Sequence, residues 1–162
     1  MTPITFLADC MLGRLAKWLR ILGYDTAYFS DITDEKLVHR ALHEGRVILT
    51  RDTHLIKRKL ARRCLLIQSD QVLEQLKQVI EEFKLKAPNR GILRRCLLCN
   101  TPLSAISKKR VRGRVPPYVY KTQRSFAYCS RCDRIYWRGT HINRVFDRLS
   151  KLRSATAPPL AE

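Results

Sequence analysis

Residues 86–162 contain three acidic residues, Asp133, Asp147 and Glu162, against 18 Lys and Arg. That scarcity excludes a self-neutralised module. This half carries +15 of the formal +18, whereas residues 1–85, with 14 basic and 11 acidic residues, carry only +3. So lopsided a charge on a folded module is the footprint of a polyanion partner, nucleic acid ahead of anionic lipid. No apolar run approaches the ~20 residues a bilayer-spanning helix needs, so no membrane partner is expected. No apolar leader is visible either: Met1-Thr2-Pro3 runs straight into a strand-like segment, and a cytoplasmic setting is the expectation. Without secretory context, disulfides are the less expected use of the six cysteines. No segment repeats. No Ser or Cys has an evident base beside it, which speaks against a protein nucleophile.

The cysteines that are present fall into a pattern. Cys96-Leu97-Leu98-Cys99 and Cys129-Ser130-Arg131-Cys132 are two C-x-x-C pairs. Each places two thiolates on one side of a tight knuckle, and together they make the tetrahedral set of a structural zinc site. The intervening stretch is longer than the commonest spacing, and a zinc ribbon with an excursion accommodates it. Cys10 and Cys64 are left without an assigned role.

Ahead of the knuckles, strand and helix patterns alternate four times. Strands are expected at residues 4–8, 26–29, 47–50 and 64–68. Helices are expected at 12–22, 34–44 and 71–84, with a short basic helix after Asp52. Gly23 and Gly45 read as helix stops. Residues 47–50 are the apolar kind of strand buried on both faces. The order implies an α/β domain with a mostly parallel sheet flanked by helices, over residues 1–85. A linker at 86–95, a zinc ribbon at 96–145, and a basic helix with a frayed tail at 146–162 complete the expected organisation. Within the ribbon, residues 108–114 read as a basic loop, and 118–120 and 125–128 as strands.

Ligands of an open parallel sheet collect outside the carboxyl ends of its strands. Asp9 follows the first strand and Asp52 the third; Asp31 and Asp34 follow the second, and Asp70 the fourth. Carboxylates gathered there suit Mg²⁺ or Mn²⁺ and phosphodiester hydrolysis. Helix capping is the alternative for each acid taken singly.

Residues 6–26, from Phe6-Leu7-Ala8-Asp9 through Leu12-Gly13-Arg14-Leu15-Ala16-Lys17-Trp18, closely resemble the opening of the Mut-seven C-terminal RNase domain family, whose domains are PIN-like. Asp34-Glu35-Lys36-Leu37, Glu44-Gly45-Arg46 and Leu49-Thr50-Arg51-Asp52 continue the match. The two knuckles, with Tyr136-Trp137-Arg138-Gly139-Thr140-His141 after them, resemble the zinc ribbon that follows in that family. The resemblance spans about residues 4–145. It implies a PIN-like fold and a metal-dependent ribonuclease, with Asp9, Asp34 and Asp52 as the catalytic, metal-binding acids. Asp31 and Asp70 are the candidates for a fourth acid.

On this reading Arg14 and Arg51 hold phosphates near the metal, and metal-activated water would leave a 5′-phosphate and a 3′-hydroxyl. Lys108, Lys109, Arg110 and Arg112 are the expected electrostatic grip on RNA, single-stranded or structured. Ribbon aromatics interleaved with cations fit base stacking, though part of them must form the ribbon's own core. His39 and His43 share a helix face but lack the Glu of a zinc-protease motif. Two rivals stay open: a catalytically weak RNA-binding adaptor, and a toxin-like nuclease held by a protein partner. DNA as substrate is not excluded.

Overall fold

The computed structural model describes residues 3–86 and 93–139. Strands β1 (Thr5–Ala8), β2 (Asp25–Tyr28), β3 (Val47–Thr50) and β4 (Cys64–Leu66) form one sheet in the order β2-β1-β3-β4, every pair parallel. Helices α1 (Gly13–Ile21) and α2 (Asp34–Glu44) supply the first two crossovers, a short 3-10 turn at Leu55–Lys57 lies in the third, and α3 (Val72–Glu82) follows β4. The expected α/β architecture is therefore the observed one.

Alternation along the strands sorts the core into two layers. Phe6 and Ala8 pack with Leu15 and Leu19 of α1 and Leu76 and Val79 of α3 on one face. Leu7 and Ile48 pack with Leu37, Val38 and Ala41 of α2 on the other. The central β3 is buried on both faces, which is why its sequence is an unbroken apolar run ending in Thr50. Replacing Leu15 or Leu19 by Ala would cost about 2–5 kcal/mol through the cavity left behind.

Two turns decide where the site residues fall. Gly45 ends α2 in the left-handed region at φ 65°, returning the chain directly into β3. At the start of α2, the Thr33 hydroxyl accepts the Lys36 N–H. Asp34, expected to begin the helix, therefore sits in its first turn with its carboxylate released from capping. At Gly13 a Cβ would stand 2.8 Å from the Tyr28 ring, so glycine lets α1 begin tight against β2.

The second sheet is antiparallel, β5 (Ser104–Ile106), β6 (Phe126–Cys129) and β7 (Arg134–Trp137) in the order β5-β6-β7. Two expectations are corrected here. Residues 118–120 are not a strand but part of helix α5 (Pro117–Thr122), because Pro117 occupies the first helical turn, where a missing N–H costs nothing. The basic stretch 108–114 is not a plain loop: it opens with helix α4 (Lys108–Val111), which drives Val111 into a small core with Val115 and Phe126. The basic helix and frayed tail expected at 146–162 lie outside the described residues.

The ribbon docks on the free edge of β2. Arg20, 3% exposed, donates from Nε to the Thr26 carbonyl at 2.9 Å and from Nη1 to the Leu97 and Leu98 carbonyls at 2.8 and 3.0 Å. Asn100 accepts the Thr26 N–H and donates to Asp25. Asp25 also pairs with Arg46 and Arg95. The Thr26 N–H and carbonyl, which an edge strand would leave open, are thus paired by Asn100 of the first knuckle and by Arg20.

Candidate active site and metal centre

Parallel order with β1 and β3 adjacent brings Asp9 and Asp52 to neighbouring positions at the carboxyl edge. Asp9, 5% exposed, accepts the Met11 N–H on Oδ1 at 2.6 Å, and its Oδ2 accepts the hydroxyl of the fully buried Thr50. That same Thr50 oxygen accepts the Asp52 N–H at 3.0 Å. One hydroxyl at the end of β3 therefore ties the Asp9 carboxylate to the Asp52 backbone. Asp52 is further held by the His54 N–H on Oδ1, 2.7 Å away.

Asp34 approaches from α2. Its carboxylate is 45% exposed and pairs at 3.4 Å with Arg58. Burial raises the pKa of the Cys10 thiol, and the charges of Asp9 and, more weakly, Asp34 raise it further. Burial and the Asp9 charge likewise push Cys64 up to about 11. Both cysteines are thus neutral neighbours of the acids.

The three carboxylates do not close as tightly as the thiols below. Among the described residues, only the four cysteines bring three or more ligand atoms within 4.8 Å of one another. An oxygen-only set that is open and part-exposed fits a hard cation that keeps several of its waters. Asp31 and Asp70 are both exposed, on the flanks of the sheet beyond β2 and β4. Arg14 lies exposed in the first turn of α1 and Arg51 half-buried beside Asp52. Neither makes a side-chain hydrogen bond or ion pair among the described residues.

At the knuckles, Cys96 Sγ lies 3.9 Å from Cys132 Sγ, and Cys99 Sγ 3.5 Å from Cys129 Sγ. A tetrahedron with Zn–S near 2.3 Å requires about 3.8 Å between sulfurs. The thiol chemistry fits as well. Burial works against the Cys99 thiolate, but contacts with the Thr101 hydroxyl and backbone bring its pKa down to about 6. Hydrogen bonding to Cys99, with burial, pushes Cys132 up to about 12. Four thiols packed together resist ionising together, and a central dication removes that conflict. Tyr136 Oη, 3.2 Å from Cys96 Sγ, is a second layer of support.

The expected RNA grip is divided. Lys109, Arg110 and Arg112 are exposed, but Lys108 is half-buried, donating to the Gln123 carbonyl at 3.0 Å and lying 5.0 Å over the Tyr120 ring. Lys108 holds α4 to α5. Among the described residues, the ion pairs and hydrogen bonds joining ribbon to sheet come from residues 95–100 and none from α4. Of the aromatics, Phe126 is buried, Tyr120 and Trp137 pack against it, and Tyr118 is 76% exposed.

Sequence reasoning assigned no role to Thr50, Arg20 or Asn100. A hydroxyl closing an otherwise apolar buried strand was the available signal for Thr50. An arginine on the apolar side of α1 was the signal for Arg20. Nothing local marks Asn100, whose partners are 74 and 75 residues away.

The chain is 34% identical over 97 residues to a human protein named exonuclease mut-7 homolog; the match takes in 57% of this chain but only 11% of that protein's length. No solved structure matches. The family model described as the Mut7-C RNAse domain matches residues 4–149. That range takes in the parallel sheet, the acids at its carboxyl edge and both knuckles, and the chain belongs to the Mut7-C RNase domain family.

Proposed function

We propose that this chain is a metal-dependent ribonuclease whose Mg²⁺ or Mn²⁺ site is formed by Asp9, Asp34 and Asp52, with the ribbon assisting RNA capture. The observation that carries the reading is the Thr50 hydroxyl, which holds Asp9 and Asp52 together at the carboxyl edge of the sheet in a chain of an RNase family. Bound there, the ion would supply an activated water and offset charge on the phosphodiester. The chain's own residues do the rest. Asp9 is immobilised by two hydrogen bonds, so little reorganisation is needed when substrate arrives. Arg14 and Arg51, unpaired by acids, orient the flanking phosphates. Lys109, Arg110 and Arg112 attract the strand over longer range, a contribution that salt weakens. Zinc on the four cysteines would act structurally, as a closed site with no open position.

The test is cleavage of end-labelled single-stranded RNA with Mn²⁺ or with EDTA, beside Asp9→Asn. Cutting that needs metal, leaves 5′-phosphate ends and disappears in the variant is the expected result. A 2′,3′-cyclic phosphate product would overturn the mechanism. The adaptor reading draws on a separate observation, the Arg58 partner and wide setting of Asp34; it predicts tight RNA binding with no cutting by either protein.

A further inference from the structure

Helix α2 carries a cationic stripe that the chemistry at the strand ends does not use. Lys36 and Arg40 lie one turn apart on it, and two hollows meet beside them. One, of about 610 Å³, runs along α2 past Asp31, Lys36 and His39. The other, of about 470 Å³, lies between the edge of β2 and the ribbon, against Arg20, Arg46, Asn100 and Arg131. Phe29, Arg40 and Glu44 line both, so the two hollows adjoin at this cluster and together form an interrupted groove. It begins in the loop that leads to Asp34 and ends between the ligand positions Cys129 and Cys132. Arg40, six residues beyond Asp34, stands about 9 Å further along the helix axis.

A guanidinium is held ready at the middle of this groove. The Arg40 Cζ lies 4.3 Å from the centroid of the Phe29 ring, and its Nε donates to Glu44 Oε1 at 2.6 Å. Glu44 is itself fixed from the other side by Arg46. Ring and carboxylate set the plane of the guanidinium, yet 46% of the side chain stays exposed. A planar cation fixed in this way stacks on a base and keeps donors for phosphate oxygens, which an ammonium cannot do. At the far end Arg131 is exposed and has no side-chain partner among the described residues. Five cationic side chains line the groove against two carboxylates; Arg20 and Arg46 are engaged by protein partners, which leaves Lys36, Arg40 and Arg131 against Asp31 and the twice-paired Glu44.

We propose that this groove is a subsite for single-stranded RNA: an unpaired base stacks on Arg40 over Phe29, Arg131 holds a neighbouring phosphate, and the strand runs from the acids along α2 to the zinc knuckle. The proposal rests on the reading that the chain acts on RNA. Only an unpaired base offers the face that Arg40 requires, so duplex RNA does not use the stacking contact. The knuckle thus becomes one wall of the substrate path.

Binding and cleavage are measured separately to test this. A fluorescein-labelled oligouridylate is titrated by anisotropy, across a range of salt, into zinc-loaded Asp9→Asn protein with and without Arg40→Lys or Arg131→Gln. Arg40→Lys keeps the charge and loses the plane; Kd rises about 5-fold or more while the salt slope is unchanged. Arg131→Gln weakens binding and lowers the slope by about 0.7. Duplex RNA shows no loss with Arg40→Lys. Parental affinity and slope in both variants would overturn the groove, and cleavage by otherwise wild-type enzyme would then leave the nuclease reading standing. No cleavage, with binding that still responds to both variants, would remove the nuclease reading and keep the groove. If Arg40→Lys lowers the melting temperature, Arg131→Gln, on the ribbon surface, decides alone.

Discussion

Arg20→Met is the sharpest test of how the two parts of the chain are joined. Methionine replaces the buried stem at similar volume, so little packing is lost and the change reports the guanidinium. Three charge-assisted hydrogen bonds disappear, to the Thr26, Leu97 and Leu98 carbonyls. Bonds to charged groups contribute about 1.5–3 kcal/mol each. The Leu97 and Leu98 carbonyls are only part-buried and regain water, so their share is discounted, and desolvation of the cation is recovered. A net loss of about 3–4 kcal/mol remains. At ~2–4 °C per kcal/mol for a chain of this size, the melting temperature falls by about 10 °C. Calorimetry of the zinc-loaded protein measures it. Chelating zinc in the wild type should produce an overlapping loss, so that chelation of Arg20→Met adds less than the sum of the two. A drop under about 3 °C, or full additivity with chelation, would refute the view that Arg20 is the joint.

Three further outcomes follow from the same geometry. Thr50→Val keeps the shape of β3 but unties Asp9 from Asp52; kcat should fall about 100-fold with RNA affinity within 2-fold, read by single-turnover cleavage and anisotropy. Cys132→Ser should reduce bound zinc from one equivalent to a weakly held fraction, read by chelator release, and lower the melting temperature as Arg20→Met does. Asp25 is opposed by burial but held below the usual carboxylate range by hydrogen bonds from Arg46 and Asn100 and by the charges of Arg46 and Arg95. Its stabilising contribution is complete above the unfolded-state pKa of about 3.9 and lost as pH falls through the lower folded value. The stability gap between wild type and Asp25→Asn should therefore hold steady from neutral pH to about 5 and close in stronger acid.

The α/β half was legible because its signals are local. Residues 47–50 announce a doubly buried strand, Gly23 and Gly45 mark helix ends, and Asp9 and Asp52 stand where parallel topology gathers ligands. The ribbon was legible only at its cysteines. Tyr118-Val119-Tyr120 alternates as a strand would, yet Pro117 starts a helix there. Lys108 and Arg112 look alike as letters; only tertiary packing shows that one is spent on Gln123 and Tyr120. Thr50 and Arg20 were missed for a related reason. Their partners are far away in sequence, and a polar residue on an apolar face declares that it needs partners without naming them.

The cap on β2 also sets an order of events in time. Thr26 is synthesised 74 residues before Asn100, and Arg20 77 residues before Leu97. The sheet is complete only when β4 has been made, and Leu66 precedes Asn100 by 34 residues; at roughly 5–20 residues per second its outer strand then stays bare for about 2–7 s. During that interval the edge is a template for any other extended chain. Knuckle closure ends the exposure, and a zinc ion on the four cysteines would set when closure comes. Zinc supply would then govern how much of the newly made protein escapes aggregation, independently of any part the ribbon plays once folded.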